Sequence, residues 1–137
     1  MIFVDSNVVI DLLEENSAWS EWSRGEVLKG VAADKLMANL VVLAECAGHF
    51  GDLEEGLCYF EDVRIELMEI PAAAAFRAGA AHKLYRRSGG QQRSILADFL
   101  IGAHASALGA RLLTRDRQRF VSYFPELTLI TPETDNG

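Results

Sequence analysis

The sequence predicts an α/β fold in which a parallel sheet is covered by helices on both faces. Two observations carry that reading. Short apolar runs alternate with segments of helical periodicity along the whole chain, the pattern of consecutive βα units. Strands joined through helices pair in parallel, and parallel sheets are buried on both faces. A third observation sets the size. The chain has 137 residues, half of them hydrophobic and 24% charged. That is ordinary globular composition, and one core of this size buries about two-thirds of the unfolded surface. No repeat, low-complexity tract or linker divides residues 1–137, so a single domain is expected.

Each element follows from local chemistry. Ile2–Val4 reads as a buried strand ending at Asp5. Asn7 is a candidate cap for a helix whose apolar positions Val8, Val9, Leu12 and Leu13 recur at helical spacing. A second helix runs from about Ser17, its candidate cap, to Val31, with Trp19, Trp22, Val27 and Leu28 on its apolar side. Lys35–Ala38 is the next strand, after which Asn39 caps a helix through Val42, Glu45 and Cys46. Asp52–Val63 is helical and Ile65–Ile70 is a strand. Pro71 suits the first position of a helix, where its missing N–H is harmless. That helix is rich in small residues (Ala72 to Ala75, Ala78, Gly79, Ala80, Ala81) and ends before Ser88-Gly89-Gly90. Its packing partner is either the sheet or a second copy of the chain. Ser94 caps a helix from Ile95 to Leu108, which Gly109 stops. Arg111–Thr114 is a strand, Arg115–Phe124 is largely helical, and Leu127–Ile130 is the last strand before a polar tail.

Cys46 and Cys58 are too few for a disulfide scaffold, and their spacing to His matches no zinc site. The opening residues lack a basic segment followed by an apolar run, and no stretch is long enough to span a bilayer. A cytoplasmic protein without a membrane partner is expected. The net charge of −7 argues against a nucleic-acid partner, but the charge is uneven. Residues 1–70 carry 4 basic and 15 acidic side chains, and residues 71–137 carry 9 and 5. From Pro71 to Ala97 there is no acid, against Arg77, Lys83, Arg86, Arg87 and Arg93. Arg111, Arg115, Arg117 and Arg119 form a second basic cluster. Local patches rather than net charge steer a polyanion. Solvated helix faces often carry such charges too, so the patches gain meaning only beside a catalytic centre.

In open α/β sheets, sites form beyond the carboxyl ends of strands, at the point where strand order reverses. Asp5 closes the first strand, and Asp116 lies just past Thr114 at the end of the fourth. Glu45 and Asp98 interrupt apolar helices within two turns of the caps Asn39 and Ser94. Helix dipoles favour acids there by only about 0.3–1 kcal/mol, too little to offset the burial of four mutually repelling carboxylates. A hard divalent cation offsets it, because such ions take carboxylate oxygens. One acid at a strand end is unremarkable among 20, and Glu54, Glu55 and Glu61 read as solvated. It is the set of four that points to a metal.

These residues resemble a known family. Val4-Asp5-Ser6-Asn7-Val8-Val9-Ile10-Asp11 is similar to the opening motif of PIN domains. Val41-Val42-Leu43-Ala44-Glu45, Ala97-Asp98-Phe99-Leu100-Ile101-Gly102-Ala103 and Leu112-Leu113-Thr114-Arg115-Asp116 resemble the family's later motifs, in order and across nearly the whole chain. The fourth is closest to the form seen in VapC-type toxins of toxin–antitoxin pairs. The resemblance implies a three-layer α/β/α fold with five strands in the order 3-2-1-4-5. It implies a metal-dependent endoribonuclease with Asp5, Glu45, Asp98 and Asp116 as acidic site residues, assisted by Asn7 and Thr114. It also implies a homodimer and an antitoxin partner. Family members differ in the acids that follow the threonine, which makes Asp116 the least secure of the four.

On this reading Asp5, Asp98 and Asp116 hold Mg²⁺, or Mn²⁺ in its place, and Glu45 orients water. One ion or two, about 3.5–4 Å apart, would activate water and stabilise the leaving oxygen. Arg86, Arg87 and Arg93 hold RNA phosphates, with Arg115 and Arg117 beside the metal. His49, His82 and His104 read as surface or packing residues. Trp19 and Trp22 share a helical stripe that suits either the core or a groove for the antitoxin. The competing classes fit less well. A receiver-like signalling domain needs an acceptor aspartate after strand three, where Pro71 and Ala72 stand. A dehalogenase-type phosphatase needs an aspartate where Asn7 stands. An inactive PIN-like binding module is the stronger alternative, although all four acids are present.

Overall fold

The computed structural model describes residues 1–15 and 17–132. The polar tail therefore lies mostly outside the described residues. The strands are β1 (Ile2–Val4), β2 (Leu36–Asn39), β3 (Ile65–Met68), β4 (Arg111–Leu113) and β5 (Leu129–Ile130). They form one parallel sheet in the order β3-β2-β1-β4-β5, the order the family resemblance implies. β1 lies at the centre, with Phe3 opposite Met37 on one side and Leu112 on the other. The flanking helices are α1 (Ser6–Leu13), α2 (Ser20–Ala33), α3 (Leu40–Cys46), α4 (Leu53–Asp62), α5 (Ala72–Arg87), α6 (Ile95–Leu108) and α7 (Gln118–Val121). Together they give the expected three-layer α/β/α architecture.

The core explains why the short strands hold. Phe3, Val4, Met37, Ala38, Leu112 and Leu113 of the three middle strands are all buried. Phe99, Ile101, Phe120 and Phe124 close over them, each such side chain contributing roughly 1.5–3 kcal/mol by leaving water. The alanine-rich face of α5 packs on α6, burying Ala74, Ala78 and Ala81. Gly109 ends α6 in the left-handed region (φ 65°), where other residues are strained.

Several boundaries move, each for a physical reason. Asp5, not Asn7, caps α1: its carboxylate accepts from the Ser6 N–H at 2.7 Å, and Asn7 lies within the helix. α2 begins at Ser20 rather than Ser17. The Ser20 hydroxyl bonds back to the carbonyls of Asp11 and Glu14, while Ser17 closes a turn by accepting from the Trp19 N–H. Asn39 caps α3 as expected, accepting from the N–H groups of Val41 and Val42. Pro71 occupies the cap position of α5 rather than its first turn. Ser94 caps α6 through its backbone, without a side-chain bond. Only residues 118–121 of the expected 115–124 helix are regular, because the Arg115 and Asp116 amides bond to side chains instead.

Candidate active site

Everything at the site converges on the adjacent ends of β1 and β4. The Asp5 N–H closes the ladder on the Leu113 carbonyl at 2.9 Å, which aims the Asp5 carboxylate beyond the sheet. One of its oxygens caps α1 and the other accepts from the Thr114 hydroxyl at 2.7 Å. The Thr114 oxygen accepts in turn from Asn7 Nδ2 at 3.4 Å and from the Asp116 N–H at 3.1 Å. A hydroxyl has one donor and two lone pairs, so Thr114 is saturated and its rotamer is fixed. Asn7 Oδ1 also accepts from the Arg115 N–H at 3.3 Å, stitching α1 to the turn after β4.

The other acids arrive from two helices and from the turn after β4. Asp98 stands in the first turn of α6 and is buried. Its Oδ1 lies 3.4 Å from Arg119 Nη1, while its Oδ2 has no hydrogen-bond partner among the described residues. Asp116 pairs with Arg119 Nε at 2.7 Å. Glu45 of α3 accepts from the Ser6 hydroxyl at 2.6 Å. Burial therefore differs from the expectation of four buried carboxylates. Asp5 and Asp98 are buried and Asp116 is half-buried. Glu45 is exposed, because Val42 and Cys46 carry the inward face of α3.

The electrostatics follow from this crowding. Burial pushes the Asp5 carboxyl up to about 6, helped by the charge of Glu45 and opposed by the bonds from Thr114 and Ser6 and by Arg119. Burial pushes Asp98 up to about 7, opposed by Arg119 and reinforced by Asp5, Glu45 and Asp116. An all-oxygen donor set with one buried oxygen left bare suits a hard divalent cation. Among the described residues no three acidic, His or Cys side chains are already gathered as an ion cage. Arg119 spans two of the acids instead.

The remaining candidates spread around this centre. Arg86 and Arg87 are exposed at the end of α5, Arg93 is exposed in the following loop, and Arg117 is exposed next to Asp116. Arg115 is engaged: its Nε sits 2.8 Å from the buried Asp11 carboxylate, a close ion pair rather than an aligned hydrogen bond. Its guanidinium also lies over the ring of Trp19, which is otherwise exposed, whereas Trp22 is half-buried against the core. His104 is a packing residue as expected, buried on Phe3 and bonded to Asn39, and burial lowers its pKa. His49 lies at the surface beside Glu14. Sequence reasoning gave Ser6 only as part of the opening motif and missed its bond to Glu45, and it missed the roles of Asp11 and of the bridging Arg119. Arg119 left a trace in the sequence by standing one helical turn after Asp116.

A parallel 3-2-1-4-5 sheet with acids converging on its central carboxyl edge defines a PIN-type architecture. The chain belongs to the PIN domain family, whose model matches residues 2–123. Among solved structures it is similar to VapBC2 from Rickettsia felis bound to a DNA fragment from their promoter. The identity is 19% and the TM-score 0.70, covering 96% of this chain and 98% of that one. VapBC-1 from nontypeable Haemophilus influenzae matches with 19% identity, a TM-score of 0.69 and the same coverages. FitAcB from Neisseria gonorrhoeae matches with 17% identity and a TM-score of 0.61, covering 97% of this chain and 99% of that one. No curated protein sequence matches the chain. No helix among the described residues is long and apolar enough to cross a membrane.

Proposed function

We propose that this chain is a divalent-metal-dependent endoribonuclease acting as the toxin of a toxin–antitoxin pair. The observation that carries the reading is the buried, unpartnered Asp98 Oδ2 beside a second buried carboxylate, Asp5, both with raised pKa values. Asp5, Asp98 and Asp116 would hold Mg²⁺ or Mn²⁺. Bound there, the ion supplies an acidified water and offsets charge developing on the phosphoryl group. The chain's own residues do the rest. Thr114 and the α1 cap fix the Asp5 oxygens, Asn7 steadies Thr114, and the exposed Glu45 is placed to orient water. Arg86, Arg87, Arg93 and Arg117 offer cations to the strand's phosphates, and an acidic centre within that rim lets an acidic protein bind a polyanion.

VapBC and FitAcB, the structural neighbours, support an antitoxin as partner, and the family resemblance supports a homodimer. A single domain working in the cytoplasm rests on the chain's length and on the sequence of its opening residues. The deciding experiment sequences the ends of RNA fragments produced by wild-type protein and by Asp5→Asn. New ends that require the wild type, vanish with chelator and return with Mg²⁺ or Mn²⁺ bear out the reading. Equal cleavage by Asp5→Asn removes it. The hold of Arg119 on two of the acids favours one alternative, an inert PIN-like binding module. That reading predicts metal-bound protein that cuts no RNA.

A further inference from the structure

We propose that the cleft between the C-terminal part of α5, the following loop and α7 is a nucleobase pocket, holding one unpaired base beside the acids. It deepens the nuclease reading and relies on it for the identity of the polymer. The cleft has a volume of about 390 Å³ and is lined by Tyr85, Gln92, Asp116, Gln118, Ser122 and Tyr123, among others. That is within the roughly 300–1,000 Å³ of sites that take small organic ligands.

Its walls are built in advance. The Tyr85 and Tyr123 rings stand 6.1 Å apart at 69°, and both pack on the buried Phe99 ring, at 6.0 and 4.9 Å. The Tyr85 hydroxyl accepts from the Gln92 N–H at 3.0 Å, tying the loop to the wall. A Cβ on Gly90 would sit 2.3 Å from the Tyr85 ring, so glycine is what lets the loop lie across it. The cleft therefore combines tyrosine rings with amides and a hydroxyl that both donate and accept, and the paired Asp116 and Arg119 complete its lining. Unpaired bases are held in this way, by stacking and by bonds to their edges.

Other ligand classes fit worse. A free anion meets the Asp116 carboxylate, and Arg119 is already paired with two acids. A purely apolar ligand would make no use of the hydrogen-bonding groups of Gln92, Gln118 and Ser122. Exposed cations stand next to the lining in the chain: Arg86 and Arg87 directly follow Tyr85, and Arg93 follows Gln92.

The test titrates the full chain, in EDTA, with AMP, GMP, CMP, UMP and ribose 5-phosphate while NMR follows the tyrosine rings. The three tyrosines include Tyr59 of α4 as an internal control. The expected result is that at least one nucleotide shifts Tyr85 and Tyr123 but not Tyr59, and that ribose 5-phosphate shifts none. Ser122→Leu, at an exposed rim position, should weaken that binding about tenfold by filling the cleft without adding a ring on which a base could stack. If Ser122→Leu disturbs the amide spectrum, Gln92→Ala with Gln118→Ala, both at exposed positions, replaces it and should weaken the binding and alter the ranking of bases. Equal shifts with ribose 5-phosphate, no shifts with any nucleotide, or undiminished binding by the variants would overturn the pocket. Binding without RNA cleavage by the wild type retires the nuclease reading and keeps the pocket. Cleavage without base-dependent shifts does the opposite.

Discussion

The Thr114 hydroxyl donates to Asp5 Oδ2 at 2.7 Å, joining side chains 109 positions apart in the sequence. β1 and β4 pair side by side, so the bond fixes a carboxylate at the seam of the two strands. It also favours the ionised form of Asp5 against the effect of burial. Thr114→Val should raise the Asp5 pKa further above about 6 and move the acid limb of any pH–rate profile upward. It also leaves the Asn7 amide and the Asp116 N–H without their acceptor, at a cost of about 1–3 kcal/mol. Carboxyl-carbon NMR and urea unfolding of the variant check both expectations.

A pH dependence of stability follows from the two raised carboxyls. Asp5 at about 6 and Asp98 at about 7 lie above the ordinary 3.8 that the unfolded chain would show. Between those limits the folded state binds more protons than the unfolded state, so stability falls as pH rises and the loss is complete above about pH 7. Metal-free protein should therefore lose on the order of 4 kcal/mol from these two groups between about pH 5 and about pH 8. Thermal unfolding in EDTA measures it. Asp98→Asn, which stays neutral, should flatten the slope.

Arg119 holds Asp98 and Asp116 together in the absence of an ion. Removing its charge with Arg119→Gln should raise the Asp98 pKa. Near pH 8, where the carboxylates are ionised, the variant should bind Mn²⁺ several-fold more tightly, because a competing cation has gone. Electron paramagnetic resonance of free Mn²⁺ reports the difference without any RNA.

Arg86 and Arg87 are exposed at the end of α5. If each neutralises one phosphate of a single strand, changing both to Ala should reduce the slope of log K against log salt by about 1.4, roughly 0.7 for each contact. An unchanged slope in filter-binding titrations removes them from the interface.

Asp11 is buried and accepts from the hydroxyls of Ser23 at 2.6 Å and Ser17 at 3.1 Å while pairing with Arg115. Asp11→Ala should cost about 3 kcal/mol in urea unfolding, since it strands a mostly buried guanidinium. Arg115→Ala should cost less, because the serines continue to solvate Asp11.

The reading from sequence was accurate where local chemistry decides the outcome. Ile2–Val4 must be buried, Asn39 must cap, and Gly109 must stop a helix, and all three hold. Glu45 and Asp98 were visible because a charge inside an apolar run demands an explanation, and Asp5 and Asp116 because they stand at the ends of expected strands. What could not be read was which neighbour each polar group finds across the fold. Asn7 has the chemistry of a cap, but Asp5, two residues earlier, takes that place and leaves Asn7 to bond Thr114. Asp11 looked like one acid on a helix until α2 and the turn after β4 brought two serines and an arginine to it. Glu45 interrupts an apolar helix yet faces outward, because seven residues in α3 leave two faces to choose between.

The first strand made is the one in the middle of the sheet, and its last neighbour, β4, ends at Leu113. On the ribosome, β1 therefore waits with one open edge until β4 has emerged, and Thr114 and Asp116 emerge later still. The four acids cannot meet before residue 116 has emerged. A chain proposed to cut RNA is thus unarmed until its fourth acid has emerged, and the proposed antitoxin would have only the assembled site to intercept.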